Sequence, residues 1–502
     1  MTKDKNILPE LPKGWVWTKL VEACQYLPTG VEEFEGKIEY YSTGSIKDAT
    51  RVPEGMYSFS ERPSRANRKA QEGDILQVRM AGTNKALLIG KELDDKLFST
   101  GFIQLRPFNC CVGMSPYVYY YVQSSNFFIQ RDTLATGSTQ VALTDNRAEQ
   151  ITFPLAPLPE QHRIVAKIEE LFTKLDAGIE ALKKAKTQLK RYRQAVLKHA
   201  IEGKLTKEWR EEHKNELEPA SVLLERIKEE KKRKLGKKYK ELPPVDTEKL
   251  PKLPKGWVWT RIGKISELIQ YGTSEKAGSD SFGIPVLRMG NIQDGKLLFD
   301  DLKYFPRNWS KLEDFILKDG DVLFNRTNSA ELVGKTAVYK SHYPIAVFAS
   351  YLIRVKVNIN AYVPDLLSFF INSFYGKKYI ASVVSQQVGQ ANVNGTKLSL
   401  MPIPLPPLPE QHKIVEEIEK RFSVADEVEK TVEQSLKQAE RLQQSILKKA
   451  FEGKLVPQDP KDEPASVLLE RIKKERERLE TEKKAKKKNR KIKKRKSFKQ
   501  KR

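Results

Sequence analysis

The chain has 502 residues, 31% of them charged, with a formal charge of +25 and a pI near 9.6. That length exceeds one hydrophobic core and predicts three or four structural units, while the basic balance favours a polyanionic partner, usually nucleic acid. Cys24 and the adjacent Cys110 and Cys111 exclude a disulfide framework and lack metal-ligand spacing. No apolar run reaches the length of a membrane span, and a cytoplasmic location is expected.

In chain order, the first pattern is Leu11-Pro12-Lys13-Gly14-Trp15-Val16-Trp17-Thr18. Short apolar segments and turns follow. Residues 64–69, with Arg65, Asn67, Arg68 and Lys69, read as a basic loop suited to phosphates. Gly73-Asp74 opens a turn that feeds a strand through Gln77 to Arg79, and Arg106 falls at the end of the next strand. A helical stretch over 117–131 and a polar loop, Thr136-Gly137-Ser138-Thr139-Gln140, complete the region.

From Pro159 to about Ile201, apolar or small residues recur at steps of four and three: Ile164, Ile168, Leu171, Leu175, Gly178, Leu182, Ala185, Leu189, Tyr192 and Val196. Such alternation over more than four heptads predicts a coiled-coil seam. Pro159 suits the first helical turn and Gly203 the left-handed residue after the last.

All of this returns. Leu253-Pro254-Lys255-Gly256-Trp257-Val258-Trp259-Thr260 repeats the entry, and Pro407-Leu408-Pro409-Glu410-Gln411-His412 repeats Pro157-Leu158-Pro159-Glu160-Gln161-His162. A second seam runs through Ile414, Ile418, Val428, Val432, Leu442 and Ile446, and residues 218–228 recur unchanged at 463–473. Between these landmarks, Gly320-Asp321-Val322-Leu323-Phe324-Asn325-Arg326 matches 73–79, Leu332-Val333-Gly334-Lys335 matches 88–91, and Arg354 matches Arg106. A period near 245 residues is a duplication, not a stacked array.

The predicted fold is mixed α/β (α+β). Two homologous domains, 1–156 and 251–406, are joined by two long helices, 157–205 and 407–455, that pair as an antiparallel coiled coil with an internal pseudo-twofold. Residues 206–250 form a basic helical linker. Residues 456–502 form a basic helix and a Lys-rich tail, expected to be disordered or frayed, because 481–502 hold fourteen Lys/Arg and one Glu.

Polar side chains around the matched strands suggest base reading. Arg288, Asn291 and Gln293, then Asn325, Arg326, Thr327, Asn328 and Ser329 with Lys335, are types that pair with base edges or phosphates, and Gln390 and Asn392 lie in the following loop. Gln77, Arg79, Asn84, Lys85, Ser138 and Gln140 occupy the comparable stretches of the first domain. Taken singly, each reads better as a strand cap that meets water; taken as clusters, they read better as base contacts. No Gly-rich phosphate loop, no Pro-Pro-aromatic methyltransferase loop and no metal-ligand cluster occurs, and the chain reads as non-catalytic.

The two Pro-Leu-Pro-Glu-Gln-His entries, the two Leu-Pro-Lys-Gly-Trp entries, the Gly-Asp-Val-Leu-Phe-Asn-Arg-Thr strand at 320–327 and the Leu-Val-Gly-Lys at 332–335 closely resemble the specificity (S) subunit of Type I restriction–modification enzymes. The likeness covers nearly the whole chain except the Lys-rich tail. It implies two target recognition domains that each read half of a split site in double-stranded DNA. It also implies a coiled coil that fixes their separation and docks two methyltransferase (M) subunits, with restriction (R) subunits joining the assembly. S-adenosylmethionine would belong to the methyltransferase subunits, and ATP and Mg²⁺ to the restriction subunits, leaving no cofactor in this chain. In the first domain Gln77-Val78-Arg79-Met80 replaces Phe-Asn-Arg-Thr. Two other readings remain at this point: the separate specificity subunit of a fused methyltransferase–nuclease system, and a coiled-coil scaffold that reads no bases.

Overall fold

The computed structural model describes residues 10–47, 50–111, 113–137, 141–329, 332–387 and 390–499. It divides into two compact units, Met1–Leu182 with Gln434–Arg502, and Lys183–Glu433. The division falls inside both long helices, Leu158–Ile201 and Leu408–Phe451. Each unit therefore holds the beginning of one helix and the end of the other. The segment read as a linker lies in the second unit, and the segment after the second long helix lies in the first.

Both units are built to one plan. In the first, the order Cys24–Tyr26, Phe102–Pro107, Ile75–Val78, Ala86–Leu88 makes a four-stranded antiparallel sheet. In the second, Ser266–Tyr271, Leu352–Val357, Val322–Asn325, Thr336–Val338 repeats it. The register is shared, since Leu105 faces Tyr26 as Ile353 faces Tyr271. A second sheet in each unit contains a parallel pair, Ile38–Tyr41 with Leu97–Ser99 and Ile284–Leu287 with Val347–Phe348. The helical stretch expected at 117–131 and its counterpart in the second unit, Pro364–Asn372 with Phe374–Val383, are each broken in two by a serine, Ser124 or Ser373, whose Oγ accepts a backbone N–H of the second helix.

The entry motif is the hub of each unit. Trp15 Nε1 donates to Glu160 at 2.9 Å, and Trp257 Nε1 donates to Glu410 at 2.8 Å. The same motif receives the end of the other long helix. Gly453 and Gly203 have φ +66° and press so closely on Pro12 and Pro254 that a Cβ would collide with the proline rings. The repeated helix then docks on the motif's backbone, with Ala465 N–H bonding Gly14 C=O at 2.8 Å and Ala220 N–H bonding Gly256 C=O at 2.9 Å. Leu223 and Ile227, and Leu468 and Ile472, are buried behind these contacts. Identical sequence at 218–228 and 463–473 thus makes identical local contacts.

A second repeated feature pins the central sheet. Asp74 and Asp321, after their Gly turns, are buried. Arg106 grips Asp74 with two bonds, at 2.5 and 2.7 Å, and Arg354 Nη1 reaches Asp321 at 3.3 Å. Each carboxylate also accepts a turn N–H, from Gln71 or Lys318. Arg106 and Arg354 are therefore framework residues.

The long helices run antiparallel within the second unit, because Lys186 bonds Glu433 at 2.6 Å while Arg193 bonds Glu429 and Asp426, each at 2.7 Å. Ile164, Ile168 and Ile446 are buried in the core of the first unit and Val196, Ile414 and Ile418 in that of the second, Val432 is buried, and Leu171, Leu175, Leu182 and Leu189 are partly covered. Val428 and Leu442 are exposed, at 44% and 49%, and so are Gly178 and Tyr192. The buried row of the second helix is instead Ile418, Ala425, Val432, Ala439 and Ile446, at a strict spacing of seven. On the first helix, Ile179 and Arg193 are partly covered where Gly178 and Tyr192 are exposed, while Leu171 and Phe172, and Ala185 and Lys186, are covered alike. Lys and Arg can line a seam because their stems are apolar and their charged ends reach out to acidic partners. The Lys-rich tail continues as helix, Ala465–Lys499, which good helix formers and the pair Arg476–Glu480 support.

The two buried glutamates differ, and their difference is testable. Glu410 also accepts from Thr206 at 2.7 Å and from Arg210 Nε at 2.8 Å, whereas Glu160 Oε1 is buried with no partner. Burial raises the Glu160 pKa, outweighing its bond from Trp15 and the charge of Arg163. A raised folded-state pKa means stability that is full below the unfolded value and is lost as pH rises through the folded value. Glu160→Gln should therefore match or exceed the wild type in stability at neutral pH, and its advantage should shrink as the pH is lowered. Glu410→Gln should cost about 3–5 kcal/mol, because Arg210 is left buried without its charge partner. Thermal melts of both variants across pH check this. In the seam, Val428→Lys should change stability by less than about 0.5 kcal/mol, while Val432→Lys should lower the melting temperature clearly.

Candidate nucleic-acid interface

Arg79 and Arg326 occupy one structural position in the two units. Each follows the central strand, donates its N–H across the sheet to Gly101 or Tyr351, and accepts at its C=O from Leu143 or Val393. The last bond matters, because it brings the loop before the helix entry onto the arginine. In the second unit Thr327–Asn328 pairs with Gln390–Asn392, which pairs in turn with Ser385–Gln387. Two clusters that are about sixty residues apart in sequence thus become one small sheet. In the first unit Met80 bridges Ala142 in the same way.

Each arginine meets a tyrosine of the edge strand two strands away, Arg326 over the ring of Tyr271 and Arg79 at the hydroxyl of Tyr26. The Arg326 guanidinium lies 4.8 Å from the Tyr271 ring centroid, with Nη2 bonding Asn392 Oδ1 at 3.2 Å and Nη1 the Ser350 C=O at 3.4 Å. Arg79 Nη2 lies 3.4 Å from the Tyr26 hydroxyl and 2.5 Å from Asp145 Oδ1. Tyr26 and Tyr271 both follow a glutamine, Gln25 and Gln270, and this repeated pair is a signal the sequence reading missed. A half-covered, planar cation held on an aromatic face, as Arg326 is, is preorganised to pair with base edges. Tyr271 and Tyr351 are 42% and 45% exposed, so the second site also presents aromatic surface.

Several expected contact residues are placed elsewhere. Gln77 and Asn325 are fully buried inside strands covered on both faces, and Asn291 is 5% exposed. The Asn291 amide braces its own turn through the carbonyls of Leu298 and Asp300, leaving nothing to offer a base. Residues 66–69 form a strand, not a loop. Within it Arg68 is buried, bonds the Leu27 carbonyl at 2.7 Å, and lies near enough to Tyr26, Arg79 and Asp145 to feel their charge. Lys69 pairs with Asp95, while Arg65 is exposed and Asn67 partly so.

Other candidates are accessible but apart from the arginine sites. Arg288 is tied to Asp301, and Gln293 is exposed on a hairpin whose Lys296 bonds Asp426 of the long helix. Asn84 is exposed, and Lys85 bonds the Thr43 carbonyl. Thr327, by contrast, adjoins Arg326 in the small sheet but is only 9% exposed, while Ser329 is exposed and Lys335 half-buried. Ser138 and Gln140 lie outside the described residues, as do the side chains of Asn328 and Gln390. Among the described residues, no group of His, Cys, Asp and Glu is arranged to hold a metal ion, and no helix is long and apolar enough to cross a membrane.

Comparison with known proteins places this architecture. Residues 12–191 and 254–438 each match the Type I restriction modification DNA specificity domain. The chain is 25% identical over 497 residues to the Type I restriction enzyme EcoKI specificity subunit of Escherichia coli (strain K12), covering 93% of this chain and 96% of that protein. It is 26% identical, with the same coverage, to the StySPI specificity subunit of Salmonella potsdam. A chain from a structure describing complex assembly and conformational transition of the type I R-M system is similar in fold, with a TM-score of 0.61 at 22% identity, covering 89% of this chain and 100% of that one. Two matched domains, at the positions where the duplicated units and their arginine sites lie, show that the chain belongs to the Type I restriction modification DNA specificity family.

Proposed function

We propose that this chain is the DNA-recognition subunit of a Type I restriction–modification assembly, with each unit reading one half of a bipartite site in double-stranded DNA. The observation that carries the reading is the pair of arginines at one register, each meeting a tyrosine of the edge strand, Arg326 over the ring and Arg79 at the hydroxyl. Family membership supports it, as does a basic chain of +25. The contact set is led by Arg326, Asn392 and Tyr271 in the second unit and by Arg79 with Tyr26 in the first. Gln77, Asn325 and Asn291 hold the frame behind them.

The long helices set the separation of the half-sites and dock two methyltransferase subunits, and restriction subunits complete the assembly. This part rests on the family resemblance and on the continuity of each 44-residue helix through both units. Methyl transfer with S-adenosylmethionine, and ATP- and Mg²⁺-dependent cleavage, belong to those partners.

Two outcomes test the reading. The purified chain should neither methylate nor cut DNA, and methylation should appear when a methyltransferase subunit is added; stoichiometric methylation by the chain alone would refute the assignment. In selections from randomised duplexes, Arg326→Ala should weaken discrimination by roughly 1–3 kcal/mol in one half of the site and leave the other half unchanged. An even loss over both halves would make Arg326 a phosphate or folding residue.

A further inference from the structure

The two arginine sites share a frame but differ in the acceptor beside the guanidinium. Counting from the shared bond that Leu143 or Val393 donates, Asp145 stands where the second unit has Gly395. Asp145 Oδ1 accepts from Arg79 Nη2 at 2.5 Å and from the Tyr26 hydroxyl at 2.7 Å. Both bonds fall on the same oxygen, although a carboxylate has acceptor capacity on both, and the Asp145 side chain is 47% exposed. Burial pushes its pKa up, but the bonds from Tyr26 and Arg79 and the nearby charges outweigh this and leave it lowered. The group is ionised at neutral pH and accepts only.

The second unit has the opposite chemistry. Gly395 has no side chain, and its N–H donates to the Tyr271 hydroxyl at 2.7 Å. The neighbouring polar group, Asn392, uses its Oδ1 to accept from Arg326, which leaves the amide's N–H groups as donors. One site therefore presents an acceptor beside its arginine and the other presents donors.

We propose that Asp145 is a specificity-determining residue of the first unit, accepting a hydrogen bond from the exocyclic amine of cytosine or adenine. The second unit, lacking a carboxylate there, favours a base with an acceptor edge, guanine or the O4 of thymine. This rests on the proposed reading of the chain as a DNA-recognition subunit. Arg79 in this scheme stays in the contact set and also positions Asp145 through their ion pair, and that added role separates it from Arg326. Asp145 is absent from the expected contact residues because it sits after the polar loop, at the start of the short helix Asp145–Ala148 that precedes the strand Thr152–Leu155.

The test is selection from randomised duplexes by the full chain assembled with its methyltransferase subunits, comparing wild type, Asp145→Asn and Tyr26→Phe, with thermal melts alongside. Asp145→Asn should reduce discrimination roughly tenfold at one base pair of one half-site, losing preference for the amine-bearing base, with the other half unchanged. Tyr26→Phe should weaken the same base pair by less. Unchanged preference at every position in Asp145→Asn would overturn the proposal, as would a loss spread over both halves. Absence of any sequence preference in the wild type would instead reject the recognition function itself.

Discussion

The hydrogen bond from the entry tryptophan to the buried glutamate of the long helix is the constraint on which each unit is assembled. The bond joins residues 145 and 153 positions apart, and a buried carboxylate leaves little tolerance for a misplaced donor. It fixes the helix start against the first strand of the same domain. The end of the other long helix and the repeated helix then close on the same motif through Gly203 with Pro254 and Gly453 with Pro12. A unit is thus made from pieces widely separated in sequence. Neither half of the chain, taken in sequence order, contains a complete one.

This construction separates frame from reading surface. The buried Asp–Arg pairs at 74 and 106, and at 321 and 354, hold the central sheet in both units. The arginines that follow the central strands inherit one position from that frame. Around them the duplicated units have diverged, with Asp145 against Gly395 and Ala142 against Asn392. Duplication kept the buried contacts, whose loss is costly, and left the exposed edges to vary at little cost to stability. A recognition protein gains from that partition, because the bases read can change while the scaffold does not.

Much of the frame was legible in the sequence because its motifs are local and repeated. The double entry, the Gly-Asp turns and the long helices each carry a short signal, and the duplication doubled it. The seam was only partly legible. Apolar letters favoured Gly178 and Tyr192, which are exposed, whereas the adjacent Ile179 and Arg193 are partly covered, and Lys186 and Arg193 lay apolar stems along the helix while their ends find carboxylates. The proposed contact set was least legible. Gln77 and Asn325 look like contact residues beside an arginine, but strands buried on both faces turn every side chain inward. Tyr26, Tyr271 and Asp145 could be found only once strand pairing brought the edges together.

The most direct test of two independent reading sites on one chain is the methylome of cells expressing it with its methyltransferase subunits. The account predicts one motif made of two defined segments separated by a gap of fixed length and unspecified sequence. A single continuous motif, or methylation without sequence preference, would contradict it.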